Sequence, residues 1–248
     1  MARALTLRLR GNLDTPDRKR RFNAQHFNEV ALRYDFGTKA LSLGRDQSWK
    51  RHLVESLPDR SAPVCVDLAC GTGDVTFLLA ERYRNATVIG LDLSEEMLHV
   101  ARQRRASCRV HFEQGDMAAI PMADASADIV TGSYALRNAP DPERTLDEIN
   151  RILKPGGVLA LLDFSKPPSR VARAAEYALL RTWGGFWGLI LHGNHEVHGY
   201  IAESLKRFPN RETLRCFLEA RGLSVVASRR FYFGLLEQLT ACKRSSLQ

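Results

Sequence analysis

From Val64 onward, short β-rich runs alternate with helical stretches, and no other feature constrains the fold of this chain as strongly. The β-rich runs are VCVDLA, TVIGLDL, VHFEQGD, ADIVTGSY and VLALLDF, and the helical ones are DVTFLLAERY, SEEMLHVARQRR and DPERTLDEINRIL. Apolar strands that alternate with helices predict a parallel sheet covered by helices on both faces. Ser94 is expected to N-cap the helix after the second strand, and Lys154-Pro155-Gly156-Gly157 to stop the one before the fifth. The final runs, LSVVASRRF and LLEQLTACK, lie little more than a turn apart and read as an antiparallel hairpin. Residues 17–57 read as helical: Phe22, His26, Phe27, Val30, Ala31 and Tyr34 recur at helical spacing, and Leu41, Trp49, Leu53 and Leu57 follow a glycine-containing break. The chain thus divides into a helical cover over 1–60 and an α/β domain over 61–248, with a helical insertion at 168–220.

The first strand ends in Asp67-Leu68-Ala69-Cys70-Gly71-Thr72-Gly73-Asp74. Gly71 and Gly73 let the backbone pass close to a ligand and turn directly into a helix. The helix start offers free N–H groups, and Asp67 offers a carboxylate to a cationic amine. Thr76 stands where a G-x-G-x-x-G dinucleotide loop has its third glycine, which favours a ligand without a pyrophosphate.

A mostly parallel seven-stranded sheet with its last strand antiparallel, entered by such a glycine turn, resembles the Rossmann-like fold of class I S-adenosylmethionine-dependent methyltransferases. Ligands in open α/β sheets bind outside the carboxyl ends of the strands, where the remaining candidates fall. Asp92 ends the second strand, 19 residues after Gly73, and can accept from both hydroxyls of a ribose. At the end of the third, Asp116 can accept from an adenine amino group while Met117 packs on the ring; Met97 covers its other face or packs in the core. Ser133 and Tyr134 end the fourth strand, facing the reactive group. The next loop, Ala135-Leu136-Arg137-Asn138, lacks the Asn/Asp-Pro-Pro-Tyr/Phe run in which nucleic-acid amino methyltransferases resemble one another. No nucleic-acid partner is expected.

Charge qualifies that exclusion. The first 60 residues hold 13 Lys/Arg against 7 Asp/Glu, so six of the eight net positive charges lie there. A basic quarter on a nearly neutral body suits an anionic surface such as phospholipid. Five cysteines (Cys65, Cys70, Cys108, Cys216, Cys242) form no C-x-x-C pair and read as reduced thiols of an intracellular protein. No secretory signal is visible. The most apolar stretch, Trp183 to Leu191, is nine residues against the roughly twenty a spanning helix needs. The expected location is the cytoplasm, with peripheral contact to an anionic membrane on its inner face.

DLACGTGD, SYALRN, DEINRILKPGGVLALLDFSKP, YIAESLKRFPNRETLRCFLEARGL and the early FNEVALRYDFGTKALSLGRDQSWKR together resemble the ubiquinone/menaquinone biosynthesis C-methyltransferase family, from about Arg18 to Gly222. The resemblance implies methylation of the ring of an isoprenoid hydroquinone with S-adenosylmethionine. It places Asp67, Gly71, Thr72, Gly73, Asp92 and Asp116 around the cofactor and Tyr34, with Asp35, in a cover over it. Arg137 and Asn138 would face the quinol ring, and Tyr200 would come from the insertion. The chain departs from the family pattern at Thr38, where Asn is usual, and at His198-Gly199-Tyr200, where a Tyr-Arg-Tyr-like run is expected. A histidine usual near the last strand is missing. These changes leave other readings open: a soluble phenolic or polyketide acceptor, or a catalytically silent cofactor-binding protein. Oligomeric state is open too, a homo-oligomer included. His192, His195 and His198 form H-x-x-H-x-x-H, but positions i, i+3 and i+6 drift around a helix and methyl transfer to carbon needs no metal, so no metal site is expected. His198 is instead a candidate, beside Tyr34, Tyr200 and a water held by Arg137 and Asn138, to take the proton the ring loses.

Overall fold

Each apolar run becomes a strand: β1 (Val64–Leu68), β2 (Thr87–Asp92), β3 (Val110–Gln114), β4 (Ala127–Ser133), β5 (Leu153–Phe164), β6 (Leu223–Phe231) and β7 (Leu236–Lys243). The computed structural model describes residue 9 and residues 11–104, 109–167 and 169–245. Arg3, Arg8 and Arg10 of the basic start, Arg105 of the helical run SEEMLHVARQRR, and Cys108 lie outside the described residues. The strands form one sheet in the order β3-β2-β1-β4-β5-β7-β6, with β7 antiparallel to both of its neighbours. The predicted hairpin is therefore present, and β7 slots between β5 and β6.

The helices are α1 (Pro16–Val30), α2 (Tyr34–Leu41), α3 (Asp46–Glu55), α4 (Asp74–Arg82), α5 (Glu95–Arg104), α6 (Pro142–Ile152), α7 (Arg170–His192), α8 (Glu196–Arg207) and α9 (Arg211–Ala220). A 3-10 turn at Ala31–Arg33 joins α1 to α2. Helix starts follow local chemistry: Thr15 and Asp141 each accept a backbone N–H in front of a first-turn proline. Ser94 caps α5 as expected, its Oγ accepting from Met97 N at 3.2 Å.

Strand β5 shows why the sheet is covered twice. Its Val158, Ala160 and Leu162 pack with Trp49, Leu53 and Leu79 of α3 and α4, while Leu159 and Leu161 pack with Leu146, Ile149 and Leu218 of α6 and α9. Two refinements follow. Helix α3, from the N-terminal 60 residues, is part of a sheet-covering layer, and so is α9, from the 168–220 region. Lys154-Pro155-Gly156-Gly157 does follow the end of α6, but as the opening of β5 itself. Helices α1, α2, α7 and α8 roof the carboxyl ends of the strands, with Leu205 of α8 reaching the core of the sheet. Gly184 and Gly188 let α7 and α8 approach closely: a Cβ at either would lie 2.7 Å from a carbonyl oxygen, of His198 and Asn194 respectively.

Candidate functional site

Two cavities meet at the carboxyl ends of the strands. The smaller is a cleft of about 50 Å³, lined by Gly71, Asp92, Met97, Asp116, Met117 and Ser133 among others. Gly73 caps α4 at φ 89°, a left-handed conformation that only glycine adopts without strain, and so turns the chain from β1 into the helix. The Asp92 carboxylate, raised by burial, accepts from Gly71 N at 2.8 Å and Ser94 N at 2.9 Å. These bonds hold the ends of two loops together and leave further lone pairs for a ligand. Ser133 Oγ and Asn138 Oδ1 are buried on this cleft without a hydrogen-bond partner among the described residues. Such groups require an explanation, and a polar ligand supplies one.

Asp67, Thr72 and Gly73 stand behind this wall rather than on it. Asp67 faces α4: its two oxygens accept from Thr76 Oγ1 (2.7 Å) and Thr131 Oγ1 (2.8 Å), and burial pushes it up to about 6. Thr72 donates to Asp35 Oδ1 at 2.6 Å, tying α2 to the glycine loop, while Gly73 is packed against Phe77 and Phe112. These residues shape the loop. Asn23, Phe27, Ala69, Leu91, Leu93, Gly115 and Pro140, none of them marked by a sequence motif as a ligand residue, also line the cleft.

Helix α1 closes it. Arg20 pairs with Asp116 at 3.1 Å, Lys19 donates to the carbonyls of Arg137 (2.9 Å) and Ala139 (2.5 Å), and Asn23 donates to that of Asn138 (2.6 Å). Ser94 Oγ donates to Asn28 Oδ1 at 2.6 Å. Lys19 and Asn23 are four apart, so one helix face grips the loop after β4. Burial, with Arg137 near, lowers Lys19 to about 8. Cofactor-sized pockets occupy ~300–1,000 Å³. A nucleoside-type cofactor fits the donors and acceptors here, although α1 leaves less room than such a cofactor fills.

The larger cavity, about 440 Å³, is mostly apolar and lies between the sheet and α1, α2, α7 and α8. Phe27, Tyr34, Tyr134 and Asn138 line both cavities and form the boundary between them. Tyr134 sits at φ 57°, uncommon for a bulky residue, and its hydroxyl donates to Asp46 Oδ1 at 2.9 Å. Asp46 is held in turn by Lys50 at 2.6 Å. A strained, anchored ring at a boundary is the mark of a positioned wall.

Arg137 is 4% exposed, too buried to be part of a surface ion pair. Its guanidinium lies over the rings of Phe164 (5.3 Å) and Tyr200 (5.7 Å), donates to Ser204 Oγ, and sets Nε 3.5 Å from Asp163 Oδ1. Asp163 Oδ2 also accepts from Arg137 N at 2.9 Å. Asp163 lies in the DFSKP run, and the signal in the sequence for its role is an acid near the end of β5 that can meet an arginine of the β4 loop. Tyr200 is buried, donates to Asn23 Oδ1 at 2.7 Å, and burial pushes it up to about 12, as it does Tyr34. His192 ends α7, His195 precedes α8, and His198 lines the cavity, its ring 5.3 Å from that of His192.

Known proteins agree with this geometry. The ubiE/COQ5 methyltransferase family model matches residues 16–243. Demethylmenaquinone methyltransferase of Thermus thermophilus is 37% identical over 202 residues, covering 80% of this chain and 91% of its own. The ubiquinone/menaquinone biosynthesis C-methyltransferase of Rubrivivax gelatinosus is 33% identical, covering 90% and 87%. Among solved structures, an S-adenosylmethionine-dependent methyltransferase of Thermotoga maritima superposes with TM-score 0.64 at 22% identity, over 89% of this chain and 99% of its own. The [4+2]-cyclase SpnF superposes at 0.62 and 18%, over 81% of each, so the fold alone does not fix the reaction. With the glycine turn, the strand-end acids and the family match in agreement, this chain belongs to the ubiE/COQ5 methyltransferase family and is a methyltransferase.

Proposed function

We propose that the chain methylates a ring carbon of an isoprenoid hydroquinone, with S-adenosylmethionine as donor, in quinone biosynthesis. The observation that carries this reading is the junction of the two cavities: a polar cleft at the strand ends opens onto an apolar cavity across Phe27, Tyr34, Tyr134 and Asn138. In it, Gly71, Asp92, Met97, Asp116, Met117 and Ser133 hold the cofactor, with Asp67, Thr72 and Gly73 shaping the loop from behind. Bound there, the cofactor supplies an electrophilic methyl group on a sulfonium. The boundary residues align the ring and exclude water, which is where most of the rate of a one-step displacement comes from. Arg137, with Lys19 bonded to its carbonyl and Asp163 beside its guanidinium, favours a ring oxygen that carries negative charge, and so a nucleophilic ortho carbon. Tyr34 and Tyr200 stay protonated at neutral pH; Tyr34 serves as a donor, while the Tyr200 hydroxyl, already donated to Asn23, can only accept. A water held by Arg137 and Asn138 then takes the ring proton.

The cavity mouth supports a tailed substrate. Leu43, Leu179, Tyr232 and Phe233 line the cavity and are exposed, Phe233 fully and at φ 56°. Val171, Phe186, Leu189 and Ile190 extend the exposed apolar surface along α7, and Phe36 adds to it from α2. Lys39, Arg45, Arg181, Arg229 and Arg230 are exposed on the same elements or beside them. No helix among the described residues is long and apolar enough to cross a membrane. Apolar side chains flanked by cations suit reversible binding at a bilayer surface, from which the tail enters. In this reading residues 1–60 are the cover and 61–248 the catalytic domain, with α3 shared between them. Binding to anionic liposomes is expected to fall with salt and with Phe233→Ser. Quinone profiling of cells lacking the protein is expected to reveal a precursor one methyl lighter. An unchanged quinone pool, or equal partitioning onto neutral and anionic vesicles, would turn the reading toward a soluble phenolic acceptor.

A further inference from the structure

The larger cavity has a second polar station that the reaction above does not need. His26 of α1 and His198 of α8 both line it, and both are buried. His26 Nδ1 and His198 Nε2 have no hydrogen-bond partner among the described residues, in a cavity whose surface is mostly apolar. His26 is caged by aromatic rings: Phe22 stacks at 5.6 Å, Tyr200 lies at 5.3 Å and Phe27 meets it edge-on at 5.0 Å. Its orientation is fixed before any ligand arrives. His198 is held between α7 and α2, its ring beside that of His192 and its Cε1 3.3 Å from where a Cβ on Gly37 would stand.

The two stations differ in chemistry. Arg137 is a donor only and suits an oxygen that carries charge. A neutral imidazole offers one donor and one acceptor, which suits a hydroxyl that keeps its proton. Burial pushes His26 down to about 3 and His198 to about 4, so both rings are neutral at physiological pH. Each unmade hydrogen bond in such a site is costly, and a ligand oxygen that completes it is selected strongly.

We infer that His26 and His198 bind the second oxygen of the acceptor ring, so that the cavity selects a ring with two oxygens over one with a single hydroxyl. This rests on the proposed acceptor class and deepens it. The pair acts on specificity, and neither ring needs to exchange a proton with the reacting carbon.

The test is anaerobic titration calorimetry of the full chain with 1,4-dihydroxynaphthalene and with 1-naphthol, for wild type and for His26→Phe/His198→Phe. Wild type is expected to bind the diol at least about tenfold more tightly, the value of roughly one hydrogen bond. The double variant is expected to bind both within about threefold, with S-adenosylmethionine affinity unchanged. His198→Asn and His26→Asn, which restore a polar atom in a smaller side chain, are expected to keep part of the discrimination and serve if the double variant does not fold. Discrimination that survives loss of both imidazoles, or wild type that binds both ligands equally or neither, overturns the inference. Because binding is read without turnover, discrimination lost in the variant while no ring is methylated would sink the reaction and leave this assignment standing.

Discussion

The cleft and the cavity are built by opposite means. The cleft is made by strand ends and the turns that leave them, with donors and acceptors placed by backbone geometry within a single sheet. The cavity is made by α1, α2, α7 and α8 leaning over that sheet, and its wall is side-chain packing between elements distant in sequence. A rigid platform can serve many reactions when the walls above it change.

The sharpest way to break this division is at Arg137, which belongs to the cavity. Arg137→Lys keeps the charge and loses the fork that engages Asp163 and Ser204. The turnover number is expected to fall by roughly 100-fold, with cofactor affinity within about twofold, because the lost interaction belongs to the transition state. Steady-state kinetics beside calorimetry reads both. Collapse of cofactor binding with normal turnover at saturation would move Arg137 into the cleft. Arg137→Ala is a poorer probe, since leaving Asp163 buried alone costs about 3–5 kcal/mol of stability.

The next effect separates two acids of the cleft. Asp92→Ala is expected to weaken S-adenosylmethionine by about 1.5–3 kcal/mol per lost charged bond and to leave acceptor binding alone. Asp67→Asn is expected to leave cofactor affinity within about twofold, because both Asp67 oxygens are spent on Thr76 and Thr131. Its signature is in stability. With Asp67 raised to about 6, the folded state holds a proton that the unfolded chain releases near 3.9. The Asp67 contribution therefore falls as pH rises from about 4 to 6, by ~1–3 kcal/mol. Urea midpoints at pH 4.5 and 7 are expected to show that fall in wild type relative to Asp67→Asn. Equal midpoint differences in the two proteins would contradict the burial argument.

The smallest effect lies where α1 closes the cleft. Arg20 is half exposed and its bridge to Asp116 is worth no more than about 1 kcal/mol. Arg20→Ala is expected to speed cofactor association severalfold in stopped-flow fluorescence, with thermal stability nearly unchanged. Slower association would mean that Arg20 recruits the cofactor rather than shutting the cleft.

The legibility of the sequence follows the same line. Asp92, Asp116, Met117 and Ser133 were readable because a parallel sheet delivers every strand end to one edge, so position along a strand gives position in space. Asp67 satisfied the same rule and still faces away, because β-strand alternation turns its side chain toward α4. The wall made by Asn23, Phe27, His26 and His198 depends on how α1 meets α8, and neither helix carries that information alone. Asp163 illustrates the middle case: the DFSKP run stood out, but its partner Arg137 is 26 residues away on another strand's loop.

If the two cavities work as one site, a methyl group crosses from the cleft to a ring carbon in the cavity. Purified protein with methyl-labelled S-adenosylmethionine and a short-tailed, unmethylated 1,4-naphthohydroquinone tests it directly, with the product read by mass spectrometry and carbon NMR. The expected product is one methyl heavier, with the label on the ring carbon beside a hydroxyl and one S-adenosylhomocysteine released per methyl. Label on a ring oxygen, or cofactor and ring both bound with no transfer, would contradict the account.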